Sequence, residues 1–113
     1  MFTLTRITSI EELHSLLDNS RQKPLLLFKH STRCPISSGA YREVEAYLND
    51  NPNEEVTYGL IYVVEDRNVS NEAAERLNVK HASPQVILVK DGQSQWNTSH
   101  SAITSEALRG ILN

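Results

Sequence analysis

The stretch Leu25-Leu26-Leu27-Phe28-Lys29-His30-Ser31-Thr32-Arg33-Cys34-Pro35-Ile36-Ser37 decides the reading of this chain. It opens as a continuous apolar run, which suits a strand covered on both faces. A short polar loop follows, then the only cysteine of the protein. Pro35 comes next, in a place that suits the first position of a helix, where its missing N–H would be unpaired anyway. Beyond it Ile36, Ala40, Val44, Tyr47 and Leu48 recur at helical spacing, which predicts a helix to about Asp50. Cys34 therefore stands at a strand-to-helix junction. The free N–H donors and partial positive charge of a helix N-terminus favour a thiolate there, and the thiolate is the nucleophilic form of cysteine. A buried, inert cysteine is expected inside a strand or helix, not at such a junction.

On the N-terminal side, Phe2 to Thr5 alternates apolar and polar residues and reads as a short edge strand. Ser9-Ile10-Glu11-Glu12 has the form of a capping box, and Ile10, Leu13, Leu16 and Leu17 mark one face of a helix ending near Asn19. On the C-terminal side, the turn residues Asn51-Pro52-Asn53 lead to a second β-rich run, Val56 to Val64. Ser70 is placed to cap a short helix over 71–77, and Glu65, Asp66 and Arg67 read as a solvated loop. Ala82-Ser83-Pro84 then enters a third buried strand, Gln85 to Lys90. Asp91-Gly92 is a strong two-residue hairpin signal, with Gln93 to Asn97 as the returning strand. Trp96 on that strand is expected to pack against the sheet or the last helix. Thr104 caps a closing helix to about Leu112, with Ile103 and Leu108 spaced as a hydrophobic staple around the cap. The order is β-α-β-α-β-α-β-β-α. Alternation in the first half implies parallel strands joined by right-handed crossovers, and the final pair is an antiparallel hairpin. The class is α/β, a mixed central sheet flanked by helices.

Length and composition narrow the function. The 113 residues are expected to form one domain, 1–113, large enough to bury a core without metal or disulfide staples. Net charge is −3 and no basic run or stripe points to nucleic acid. No apolar stretch approaches the roughly 20 residues that cross a bilayer, so no membrane partner is expected. The N-terminus lacks the charged-then-apolar pattern of a signal peptide. One cysteine cannot close an internal disulfide, which fits a cytoplasmic protein in a reducing compartment. The four histidines and single cysteine show no metal-ligand spacing, so no metal site is expected.

Three features then meet: a Cys-Pro-x-x motif, Cys34-Pro35-Ile36-Ser37, opening a helix after an apolar strand; Ser83-Pro84 just before the next-to-last strand; and the Asp91-Gly92 hairpin after it. Together they resemble the thioredoxin-like superfamily over essentially the whole chain. Within it, the segment from Lys29 to Ser37 resembles the active site of the YtxJ family, the monothiol bacilliredoxins, with its Thr-x-Cys-Pro-Ile-Ser pattern. Ser37 stands where dithiol reductases carry their resolving cysteine, so intramolecular resolution of a protein disulfide is not available.

The resemblance implies a thiol-disulfide oxidoreductase that removes bacillithiol, or a similar low-molecular-weight thiol, from mixed disulfides on protein cysteines. Cys34 would be the nucleophile, and mixed-disulfide exchange needs only one thiolate. It implies a cis Ser83–Pro84 bond that turns the Ser83 backbone toward the sulfur, where an extended substrate can pair with it in the manner of strand addition. Pro35 belongs to the same substrate-facing motif. Ser37 is expected to offer a hydroxyl to the thiolate, and Thr32 likewise. Arg33 suits recognition of the two carboxylates of bacillithiol's malate group, with Lys29 and His30 as weaker candidates. His81 is a candidate neighbour of the site. No bound cofactor is expected; bacillithiol acts as co-substrate and S-bacillithiolated proteins are the partners. The residues by themselves leave open a non-catalytic thioredoxin-like module in which Cys34 senses oxidation. A thiol peroxidase is disfavoured, because the loop before Cys34 lacks the Pro-x-x-x-Thr-x-x-Cys pattern.

Overall fold

The apolar run from Leu25 becomes the centre of the sheet. In the computed structural model, which describes residues 4–113, the strands are β1 (Thr5–Arg6), β2 (Leu25–His30), β3 (Thr57–Tyr62), β4 (Gln85–Lys90) and β5 (Gln93–Ser99), and the helices are α1 (Ile10–Asn19), α2 (Pro35–Leu48), α3 (Arg67–Leu77) and α4 (Ser105–Leu112). The sheet order is β1-β3-β2-β4-β5. β2 lies parallel to β3, pairing His30 with Tyr62, and antiparallel to β4, pairing Lys29 with Gln85. Every residue of β2 is buried, as a central strand with helices on both faces requires. This is the thioredoxin-like α/β arrangement expected above. The N-terminal edge strand falls at Thr5–Arg6; Phe2 lies outside the described residues.

Alternation along β2 divides the core. Leu26 and Phe28 pack with Val44, Tyr47 and Leu108 under α2 and α4. Leu25 and Leu27 pack with Leu13, Leu17, Val69 and Ala73 under α1 and α3. The predicted caps are formed. Ser9 Oγ accepts from the Glu12 N–H at 3.1 Å, and Thr104 Oγ1 accepts from the Ala107 N–H at 3.0 Å. Ile103 and Leu108 are both buried beside the second cap. Asp91 and Gly92 turn the hairpin with φ of 53° and 72°, the paired positive values of a type I′ turn. Trp96 packs against the α2 and α4 layer.

Three expectations need correction. β3 stops at Tyr62 rather than Val64, because its partner β2 ends at His30; Val63 and Val64 enter a turn, and Val64 is exposed. α3 begins at Arg67, so Ser70 is an interior helical residue and not a cap. Val69, Ala73 and Leu77 recur every four residues and bury that face. Asp66 is not solvated: it is the N-cap residue of α3, buried, and its carboxylate accepts from Arg6 Nε and Nη2 at 3.1 and 3.0 Å.

Candidate functional site

The C-terminal end of β2 and the start of antiparallel β4 lie at the same end of the sheet. That places the Cys34 loop and Ser83-Pro84 on the same side of the molecule. Cys34 is the N-cap residue of α2 and is partly exposed as a free thiol. Its own carbonyl accepts from the Ser38 N–H at 3.0 Å. Pro35 supplies no N–H, so Ile36 and Ser37 present the leading N–H groups of the helix. The Cys34 side chain makes no capping hydrogen bond to them. Arg33 is exposed beside it, and Pro35 is exposed at the first helical position.

The Ser83–Pro84 bond is cis. Pro84 is buried and Ser83 partly exposed. The Ser83 N–H and C=O make no hydrogen bond among the described residues, whereas the Pro84 carbonyl accepts from the His100 N–H at 3.0 Å. One backbone donor and one acceptor therefore remain unpaired at Ser83, and a main chain lying alongside would satisfy both.

Ser37 does not present its hydroxyl to the sulfur. It is fully buried. Its Oγ accepts from the Ser31 N–H at 3.0 Å and lies 2.7 Å from His30 Nδ1. The hydroxyl therefore bonds the Ser31 backbone and the His30 ring at once. Burial holds the His30 pKa below its ordinary value, opposed by smaller contributions from Ser37 and Glu65, so the ring is neutral. Ser37 thus fastens the loop before Cys34 to the end of β2. Thr32 Oγ1 reaches Glu65 Oε2 at 3.4 Å, a long contact to the β3–α3 turn.

Lys29 cannot meet a substrate. It is fully buried on the α1 and α3 side, where its Nζ donates to the Ser70 carbonyl at 3.0 Å and to His81 Nδ1 at 3.3 Å. Burial pushes its pKa down to about 8. Burial, then Lys29 and Arg67, lower the pKa of His81, so its ring is neutral and Nδ1 accepts from the ammonium. His81 therefore ties the loop leading to Pro84 back to β2. Its exposed polar character gave no sequence signal for that role. Ile36 is the reverse case: its helical spacing suggested core, yet it is 56% exposed next to Cys34. Among the described residues no group of three or more His, Cys, Asp or Glu is arranged to hold a metal, and no helix is long and apolar enough to cross a membrane.

The comparisons agree with this geometry. The structure superposes on a protein described as having a thioredoxin fold, with TM-score 0.82 and 28% identity over 95% of this chain and 91% of the other. Fasciola hepatica thioredoxin aligns with TM-score 0.74 and 16% identity over 95% and 94% of the two chains. Mitochondrial thioredoxin 3 of Saccharomyces cerevisiae, in its oxidised form, aligns with TM-score 0.73 and 19% identity over 96% and 92%; these last two establish the fold alone. The sequence model described as monothiol bacilliredoxin BrxC matches residues 5–108. With one cysteine at the head of α2, Ser37 in place of a second, and a cis proline on the neighbouring strand, the chain belongs to the monothiol bacilliredoxin family of thioredoxin-fold proteins.

Proposed function

We propose that this protein removes bacillithiol, or a closely similar low-molecular-weight thiol, from mixed disulfides on protein cysteines. The observation that carries the reading is Cys34 itself: partly exposed, at the N-terminus of α2, and without a second cysteine anywhere in the chain. The Cys34 thiolate attacks the sulfur of the small thiol. A new disulfide forms between Cys34 and that thiol as the old one breaks, and the target cysteine leaves as a thiolate that takes a proton from solvent. One disulfide replaces another with no net oxidation or reduction. A second thiol molecule then attacks the small-thiol sulfur, forming its own disulfide and releasing Cys34. Bacillithiol is consumed as co-substrate, and the chemistry calls for no bound cofactor.

Three parts of the site support the target polypeptide in this reading. The unpaired backbone of Ser83 accepts an extended segment, Pro84 fixes the bend that presents it, and exposed Pro35 and Ile36 offer an apolar lip. Arg33 attracts the anionic thiol. Ser37 contributes by holding the loop, not by touching substrate. Because a lone thiol must be kept reduced to turn over, we assign the activity to the cytoplasm.

Intact mass tests the reading. After incubation with an S-bacillithiolated protein, wild type gains the bacillithiol mass and Cys34→Ser does not. If the target stays modified and Cys34 stays free, the catalytic reading fails and a redox-sensing module takes its place.

A further inference from the structure

A cleft of about 300 Å³ opens between α2 and the paired ends of β2 and β3, lined by His30, Ser38, Tyr41, Arg42 and Tyr62. Its position follows from the register. His30 and Tyr62 are paired ends of β2 and β3, whereas Pro84 leads into β4 on the other flank of β2. Ser38 lies four residues after Cys34, and the near wall belongs to the first turns of the helix that Cys34 caps. A disulfide attacked by Cys34 has two arms, and the β3 and β4 flanks of β2 are separate surfaces for them.

The lining is aromatic and polar, with one exposed cation, Arg42. The His30 ring lies 4.8 Å from that of Tyr41 and 6.0 Å from that of Tyr62, centroid to centroid. His30 Nδ1 is taken by Ser37, which leaves Nε2 as the ring's remaining polar atom. The hydroxyls of Tyr41 and Tyr62 have no hydrogen-bond partner among the described residues, and neither does the Arg42 guanidinium. Arg6 adds a second cation, its guanidinium 4.4 Å from the Tyr62 ring centroid, though it is already paired with Asp66. Glu45, one turn beyond Tyr41, is the acidic neighbour, and it is not part of the lining. The volume sits at the lower bound for small-ligand pockets, about 300 Å³.

We propose that this cleft seats the non-sulfur portion of the low-molecular-weight thiol and selects for one that carries carboxylates on a hydroxylated body. Arg42 takes a carboxylate, and Tyr41, Tyr62 and Ser38 hydrogen-bond hydroxyl groups, while the target polypeptide lies on the Ser83 side. The inference rests on the thiol-exchange reading above and adds to it the residues that choose the thiol.

The test compares two small disulfides: bacillithiol disulfide, which is anionic, and cystamine, which is cationic and carries no carboxylate. The rate of mixed-disulfide formation on Cys34 is followed by intact mass for wild type, Arg42→Gln and Arg42→Lys. Wild type prefers the anionic disulfide. Arg42→Gln lowers the rate ratio by about fivefold or more, and Arg42→Lys retains most of it. Added salt shrinks the ratio for wild type more than for Arg42→Gln. Arg42 is exposed, so the fold is not at stake. An equal ratio in wild type and Arg42→Gln, or no preference in wild type, overturns the cleft assignment. Failure of wild type to take bacillithiol from a modified protein, with the small-disulfide preference intact, instead overturns the reading of its targets and leaves the cleft standing.

Discussion

Lys29→Met removes a buried ammonium from the middle of the sheet, and its effect on stability follows from the structure. Lys29 is fully buried, and burial moves its pKa from an ordinary 10.5 to about 8. At about 1.4 kcal/mol per pH unit, keeping it charged costs the fold about 3 kcal/mol. The sign is set by proton counting. Between about pH 8 and 10.5 the unfolded chain still holds a proton that the folded chain has released, so stability rises with pH across that window. Below pH 8 both states are protonated and the full cost is present. Methionine has nearly the same length and no charge, so the variant escapes the cost but loses the hydrogen bonds to the Ser70 carbonyl and His81, at about 1 kcal/mol each. At pH 7 the variant is therefore more stable by about 1 kcal/mol, or a few degrees in Tm. Urea unfolding at pH 7, 8, 9 and 10 checks this, with wild type minus variant isolating Lys29 from other groups. Wild type gains on the variant by up to about 3 kcal/mol as pH climbs through the window. Equal pH slopes for the two proteins would refute the reasoning.

Three further outcomes follow from single contacts. Ser37→Ala strands the Ser31 N–H and His30 Nδ1 in a buried site; it lowers stability by about 2 kcal/mol in urea unfolding and slows exchange at Cys34 by loosening its loop. Gly59→Ala places a Cβ 2.9 Å from Ile7 Cδ1 and 3.3 Å from Leu27 Cδ2; both are buried, and thermal melts should show a loss of about 1–2 kcal/mol. Tyr47→Phe removes the hydroxyl that donates to Asn113 Oδ1 at 2.6 Å and accepts from the Asn53 N–H at 2.9 Å. The cost is about 1–2 kcal/mol, with faster amide exchange at Asn53 and unaltered thiol exchange, since this network lies at the end of the sheet away from Cys34.

Much of the architecture was legible in one dimension because it rests on local rules. Caps at Ser9 and Thr104 and the Asp91-Gly92 turn each involve residues three or fewer apart, and the buried strands announce themselves by unbroken apolar runs. Two of the misreadings involve a partner distant in the chain. β3 ends where β2 runs out of residues to pair with, and Asp66 is held by Arg6, sixty positions away. Ile36 satisfies helical spacing, yet lies on the first turn of α2, beyond the sheet edge that would cover it.

Residue types alone showed that a single cysteine heads a helix after a buried strand, that serine stands three positions on, and that a proline introduces a neighbouring strand. Those are statements about residue type and short spacing. Only the tertiary structure decided what surrounds the sulfur. Strand pairing buries Lys29 against α3 and His81, and the packing of α2 on the sheet turns Ser37 inward onto His30. Strand pairing also brings His30 and Tyr62 together beside α2, where a cleft opens, while the Ser83 backbone stays unpaired at the start of β4. The physical reason is that β-strand register sets which side chains from residues thirty or more apart share a face, and nothing in the local sequence encodes that meeting.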